Sequence, residues 1–553
     1  MHNKPVAALD LQERVSYVSA TKSHKVNGDY VDGKTPNDLE DGALREGEAP
    51  VYTSPEVLAL LAQYFAVGLM YGSLPSVPYS VLVQYFHLQG TQYTSAKALI
   101  GLGWSLKVFV GMLSDVCPIL GFRRKSYMIL GWLLCAACLL VLGVIDHGDP
   151  YDGARDGGKL NPENVAANAR GTTVGLLCAL ATIAYILADV PADAMVVEYA
   201  QREPEHVRGR MQTLIYGVRT VASTITTALM GFCLNSERFH STFSWDMGLN
   251  AFFLVLAVPT FVVALITYLF INDRKTTDAV VWAEYKAQFW GLVQKRCVWQ
   301  LMIFNFAFNL FAGYITTTAA PYVAQTWAGV ENLNSSIMGI VGSLIFAGML
   351  AVMGKWGTMW NWRRWLVVTT LAANAIDAVV QYLTIYAIVR DQWFYLGVPL
   401  AEQIPAGIQF IITTFAIVEI ADVGNEGIIY GLLTTCSNMP NVFGAMITNI
   451  YCDQFRVSDD DIVRDDDDAK HQVAYTYLVY YGTTVFACCW VLLFPTQKKM
   501  LQEWKRDGEK YPVVGASALI IGFGIMVMSI TSNVMTMFVS TKCLRFAGGH
   551  GCD

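Results

Sequence analysis

The chain has 553 residues, 54% apolar and 15% charged, with twelve cysteines, eight histidines and a net charge of −7. Soluble domains carry about 25% charged residues, so water is not this chain's main solvent, and the acidic balance argues against nucleic acid as a partner. More than ten apolar stretches match the hydrocarbon thickness of a bilayer. None alternates in polarity as a membrane barrel strand does, so an all-α polytopic membrane protein is expected.

Residues 1–54 are polar and lack an apolar h-region, so they read as a disordered cytoplasmic tail and not a cleaved signal peptide. Spans are predicted near 56–86, 92–114, 125–146, 171–200, 209–234 and 247–271, giving an amino-terminal six-helix half over 55–271. Residues 272–297 form a cytoplasmic linker in which Trp282, Tyr285, Phe289 and Trp290 among charges predict an amphipathic helix on the inner leaflet. A second half over 298–495 has spans near 298–325, 335–355, 364–389, 393–421, 427–451 and 473–495. Residues 496–553 then hold a cytoplasmic loop, an extra span near 513–539 and an outer tail.

Lys and Arg concentrate in alternate loops: Arg123 to Lys125; Arg202, Arg208 and Arg210; Arg274, Lys275, Lys295 and Arg296; Lys355, Arg363 and Arg364; Lys498 to Lys510. Such loops stay cytoplasmic. The acidic loops at 146–156 and 459–468 then lie outside, with the carboxyl tail, where Cys543 and Cys552 are a candidate disulfide pair. Asn334-Ser-Ser is an outer-side glycosylation sequon. Cysteine and histidine spacings match no metal site, so no metal or cofactor is expected. Pro75, Pro78, Pro191, Pro321, Pro399, Pro405 and Pro440 interrupt spans. Their kinks free backbone groups that lipid cannot satisfy, which favours a water-accessible interior.

Lys107, Asp189, Asp193 and Arg219 lie inside spans. At ~3 kcal/mol each against lipid, they must face one another or water. Asp189 and Asp193 are four apart on one helical face, and two such carboxylates in low dielectric resist ionising together. They are the candidate proton-coupling pair, with Lys107 or Arg219 able to displace the proton. Asp377 and Glu402 are charged positions of the second half, and Glu402, between kinking prolines, is its expected substrate contact. Asn305 and Asn309 are expected to bond across helices for packing. Trp104, Tyr185 and Tyr216 suit either packing or stacking on a flat ring.

After the second span comes Gly111-Met-Leu-Ser114-Asp115, then Gly121-Phe122-Arg123-Arg124-Lys125. This resembles the G-x-x-x-D-x-x-G-x-R-R pattern of the major facilitator superfamily. Gly111 permits close helix approach, while Asp115 with Arg123 and Arg124 can form a gating charge lock that breaks as the halves rock. The second half echoes it with Gly348-Met-Leu and Arg363-Arg364 but has no acid matching Asp115, so the gates are expected to be unequal. Substrate would bind near midplane between the repeated halves.

Trp104-Ser-Leu-Lys107, Pro118, Asp189-Val-Pro-Ala-Asp193 through Glu198, Gly209, Gln212 and Gly217, then Glu426-Gly, Tyr430, Ser437 and Asn438 resemble the folate-biopterin transporter family. Val108 and Pro191 depart from its pattern. The resemblance implies a monomeric secondary carrier of folates, pterins or related heterocycles, coupled to protons by symport, with Glu198, Glu426 and Asn438 as motif residues. A pterin presents an amino group beside a ring N–H, a donor pair that Asp189 can accept in bidentate fashion, while Lys107 and Arg219 suit an anionic folate tail. The alternatives are the same fold carrying another small polar or anionic metabolite, or a non-transporting scaffold, which the cost of midplane charges disfavours. An enzyme is not expected, because the spans hold no histidine and the chain no Gly-rich phosphate loop. The plasma membrane is the preferred location and an intracellular membrane the alternative.

Overall fold

The computed structural model describes residues 50–151, 165–202, 210–273, 275, 282–356, 360–420 and 426–552. Helix α1 (Pro55–Ser73) begins where Ser54 accepts the Val57 N–H and Pro55 takes the first helical position. The first span is interrupted at Pro75 and Pro78, where kinks were expected. Pro75 and Pro78 lack the N–H that an α-helix needs, and the chain passes through a 3-10 turn, Leu74–Ser76, and a π turn, Pro78–Val83. The second span is α2 (Gly90–Ser105) and α3 (Lys107–Val116), which meet at Leu106 without glycine or proline at the break. Then come α4 (Lys125–Val144), α5 (Val165–Gln201), α6 (Arg210–Cys233) and α7 (Leu249–Phe270).

The linker contains α8 (Trp282–Val293), with Tyr285, Leu292 and Val293 buried and Trp282 and Trp290 exposed. The second half opens with α9 (Arg296–Asn309), which loosens into a π turn at Leu310–Tyr314. It continues with α10 (Asn332–Trp356), α11 (Trp362–Ile385), α12 (Gln392–Ile420), α13 (Glu426–Cys452), the short α14 (Asp459–Arg464) and α15 (Asp467–Trp490). After α16 (Lys498–Asp507), α17 (Pro512–Met537) is the extra apolar helix.

Among the described residues, ten helices are long and apolar enough to cross a membrane. Helices α6, α12 and α13 are 24, 29 and 27 residues long but carry polar residues such as Arg219, Glu402 and Asn438. Such a composition suits walls of a wet interior better than a lipid-facing surface. Each half has its own core, one around Trp132, Tyr185 and Phe252, the other around Phe304, Trp362 and Phe494. Large apolar side chains such as Leu140, Phe261, Tyr268, Ile520 and Phe523 are exposed, as expected of a surface solvated by acyl chains.

The extra helix packs on both α2 and α13, so it straps a seam between the halves. Asn533 donates to the Val442 carbonyl at 2.8 Å, and Thr172 donates to the Met537 carbonyl at 2.7 Å. Beyond it, Cys543 and Cys552 form the disulfide, with Cα atoms 5.0 Å apart. The basic loops gather at one end of the bundle, hereafter the basic end, and the acidic loops at the other.

Candidate functional site

Lys107, Asp189 and Asp193 converge. The Lys107 Nζ stands 2.8 Å from Asp189 Oδ2 and 3.2 Å from Asp193 Oδ2. Asp193 also accepts the Tyr64 hydroxyl at 2.6 Å. The break at Leu106 makes Lys107 the first residue of α3. Lys107 and Asp189 are 5% and 1% exposed, so the pair is buried, whereas the Asp193 side chain keeps 15% exposure. Such a cluster holds only because each charge has a partner.

Arg219 comes to the same place but makes no ion pair among the described residues. Its guanidinium lies over Tyr216 at 4.9 Å and Tyr71 at 5.3 Å, within electrostatic reach of Asp189 and Asp193. Its backbone is fixed by α1: a Cβ on Gly68 would strike the Arg219 carbonyl and come within 2.7 Å of Ala222 Cβ, so only glycine lets α1 and α6 pack this closely. The aromatics are engaged with the charges. Lys107 lies 4.4 Å over the Trp104 ring, and Trp104 stands edge-on to Tyr71 at 5.7 Å and to Tyr185 at 6.5 Å. From the other half, Tyr430 of α13 is within electrostatic reach of Lys107, Asp193 and Arg219.

At the basic end, Arg123 Nη2 meets Asp115 Oδ1 at 2.9 Å, while Asp273 accepts the backbone N–H groups of Arg124 and Lys125 at 2.9 and 3.1 Å. Ser114 donates to the Gly111 carbonyl at 2.9 Å, finishing the turn that aims Asp115. Tyr285 of the linker helix is buried beside Asp115; burial and then that carboxylate push its hydroxyl well above the ordinary value.

In the second half, Asp377 accepts Gln381 Nε2 at 3.1 Å and the Tyr481 hydroxyl at 3.2 Å. Glu402 is exposed and makes no hydrogen bond or ion pair among the described residues; Asp377 and Lys97 act on it electrostatically. Asn309 accepts Gln409 Nε2 at 2.8 Å across helices, whereas the buried Asn305 amide finds no partner among the described residues. Asn438 donates to the Thr434 carbonyl one turn back at 2.9 Å. The side chains of Glu198 and Glu426 lie outside the described residues.

The halves are clamped at the acidic end. Gln325 donates to Gln84 at 2.9 Å, Tyr322 to the Leu88 carbonyl at 2.6 Å, Asn332 to the Leu234 carbonyl at 2.7 Å and Asn449 to Ser95 at 2.8 Å. His87 and Asp459 add an ion pair at 2.8 Å. Toward the basic end, an apolar cavity of about 540 Å³ opens between α3, α8, α9, α13 and α17, on the side of α3 carrying Val108, Phe109 and Met112.

Sequence reasoning did not single out Tyr64, Tyr71, Asp273 or Lys97. A phenol in an apolar span reads as packing, and a lysine a few residues inside a span reads as an interface anchor. The charges of Asp273 and Lys97 were the signals available.

Two packed helical halves, with paired charges buried in the first and the two clamped together at one end, define a membrane transporter of the major facilitator fold. The inward-open xylose transporter XylE from E. coli shares that fold, with a TM-score of 0.54 at 12% identity over 82% of this chain and all of the other. The chain belongs to the BT1 family, whose profile matches residues 67–152 and 163–508. It is similar to the folate-biopterin transporter of Synechocystis sp. (24% identical over 426 residues, 73% of this chain and 76% of the relative). It is also similar to folate transporter 1 of Plasmodium falciparum (20% over 441 residues, 77% of each). The sequence resemblance to folate-biopterin transporters therefore holds, and the chain is a transporter and not an enzyme.

Proposed function

We propose that this protein carries folate, a pterin or a related heterocycle across its membrane by alternating access, coupled to protons by symport. The observation that carries the reading is the arrangement of four charges inside the first half. Lys107 is shared by Asp189 and Asp193, which leaves one surplus negative charge, and Arg219 offsets that surplus from its seat over two rings. An anionic substrate that draws Arg219 to itself leaves the carboxylate pair with unbalanced charge in low dielectric. A proton then restores neutrality. Substrate and proton are thereby taken together, with Asp193, the more accessible carboxylate, as the proposed proton site.

Asp189 is already engaged by Lys107 and almost wholly buried. Glu402 is exposed, with no hydrogen-bond or ion-pair partner among the described residues, and is the better placed carboxylate for the donor edge of a pterin. Lys107 acts on the substrate through the carboxylates it holds. The clamped acidic end, with the basic loops on the cytoplasmic side, corresponds to an inward-facing state. In that state Asp115 and Arg123 act as a gate that must rearrange when the carrier turns outward. Glu198, Glu426 and Asn438 are proposed motif residues of the same machinery. The working unit is proposed to be the monomer, seated in the plasma membrane.

The test is uptake of radiolabelled folate, biopterin and a nucleoside by purified protein in liposomes, with and without an inward proton gradient. Accumulation of a pteridine that collapses when the gradient is dissipated is expected. Equal failure of both pteridines, with transport of the nucleoside, would remove the substrate assignment.

A further inference from the structure

We propose that Lys97 is the countercharge that lets the empty carrier change sides: with no cargo bound, its ammonium on the amino-terminal half balances the Glu402 carboxylate on the carboxyl-terminal half. This rests on the reading above, in which Glu402 contacts cargo and the two halves alternate.

Lys97 stands about 10 Å inside α2, seven residues from its first. It is exposed although Thr94, Ser95, Ala96, Ala98, Leu99 and Ile100 around it are buried. One turn nearer the acidic end, Tyr93 packs into the aromatic cluster that holds Tyr395, Tyr477 and Tyr481. Glu402 lies two turns beyond Tyr395 on α12. The two helices thus enter from the same end, bring Tyr93 and Tyr395 into one aromatic cluster, and present opposite charges one or two turns deeper.

These charges act on each other without touching. Neither Lys97 nor Glu402 has a hydrogen bond or ion pair among the described residues, and both are exposed. The other groups near Glu402 are Asp377, occupied by Gln381 and Tyr481, and the Tyr480 hydroxyl. Lys107 cannot serve, because both carboxylates of its own half hold it, and Arg219 sits over its rings. Among the described residues, Lys97 is therefore the cation available to Glu402.

A loaded carrier covers Glu402 with the N–H donors of its cargo. An empty one must close over a bare carboxylate, and a charge losing water needs a partner. Lys97 supplies it from the opposite half. Removing Lys97 should stop the return of the empty carrier and spare the loaded one.

The experiment compares two fluxes of labelled folate and biopterin in proteoliposomes: net uptake into empty vesicles, and exchange into vesicles preloaded with the unlabelled compound. Lys97→Gln is expected to lower net uptake at least tenfold while exchange stays within twofold of wild type, and Lys97→Arg to keep both. In Lys97→Gln/Glu402→Gln, where no bare carboxylate is left, the ratio of net uptake to exchange should return to the wild-type value. An unchanged ratio in Lys97→Gln, whether both fluxes survive or both fall, would overturn the inference alone. Wild-type vesicles that move neither pteridine would overturn the substrate reading beneath it, and this inference with it.

Discussion

The Tyr64 hydroxyl donates to one oxygen of Asp193 at 2.6 Å while the Lys107 ammonium holds the other at 3.2 Å, so a single carboxylate ties α1, α3 and α5 together. An amide in its place keeps the shape and still accepts from Tyr64, but it cannot take up or release a proton. Asp193→Asn is therefore expected to reach the membrane at wild-type levels and to transport with a flat pH profile. Uptake measured from pH 5 to 8 decides this, and an unchanged profile moves the coupling role to another group.

Removing Asp189 is a different perturbation. Its carboxylate is 1% exposed and 2.8 Å from Lys107, so Asp189→Ala strips a buried cation of one partner. Breaking a buried pair costs roughly 3–5 kcal/mol. Thermal unfolding in detergent should show Asp189→Ala clearly less stable than Asp193→Asn, with lower expression.

Arg219 and lysine are not equivalent over two rings. The guanidinium lies over aromatic rings at 4.9 and 5.3 Å and still offers a planar fork of donors, which an ammonium cannot do. Arg219→Lys should raise the KM for folate by about tenfold, the equivalent of about 1.4 kcal/mol, and that for biopterin, which lacks the anionic tail, by less. A KM series for the two compounds checks this.

Close packing of α1 on α6 gives a prediction about stability alone. A methyl on Gly68 meets Ala222 Cβ at 2.7 Å and the Arg219 carbonyl closer still, and two backbones cannot yield as a flexible side chain would. Gly68→Ala is expected to cost about 1–3 kcal/mol through overpacking and to disturb Arg219. A lowered melting midpoint together with a raised folate KM is the expected result.

The Asp459 carboxyl at the acidic end titrates in a definable window. Burial works to raise the Asp459 carboxyl, but the His87 hydrogen bond and charge, with the backbone N–H groups of Asp459 and Asp460, hold it below the ordinary value. A depressed carboxyl contributes stability that is present above its unfolded value of about 3.9. That contribution is lost as pH falls through the lower folded value. The Asp459 side of the clamp should thus persist from neutral pH to about pH 4 and fail only in stronger acid. Asp459→Asn should instead loosen it at pH 7, raising impermeant maleimide labelling of a Gln84→Cys variant from the acidic-loop side.

Much of this architecture is legible in the amino-acid sequence because burying a charge in hydrocarbon leaves so few outcomes. Lys107, Asp189 and Asp193 had to find one another, and they do. Arg219 reached the same place but satisfied its charge on aromatic faces, which no spacing rule reveals. The break at Leu106 lacks the glycine or proline that usually marks one, so no local signal announces it. Lys97 was illegible because a cation near a span's edge is cheap in any membrane protein. Only its exposure inside the bundle, opposite Glu402, sets it apart.

Helix α17 lies against α2 and α13, one from each half, and hydrogen bonds at its far end bind it to both α5 and α13. Under the proposed alternating access it would work as a hinge pin along one edge of the molecule. Rocking would then be lopsided, pivoting about the pinned edge and swinging widest away from it, where α6 meets α10. Cargo would slip out past that free edge, and a ligand wedged there should arrest the machine more effectively than one lodged beside the pin.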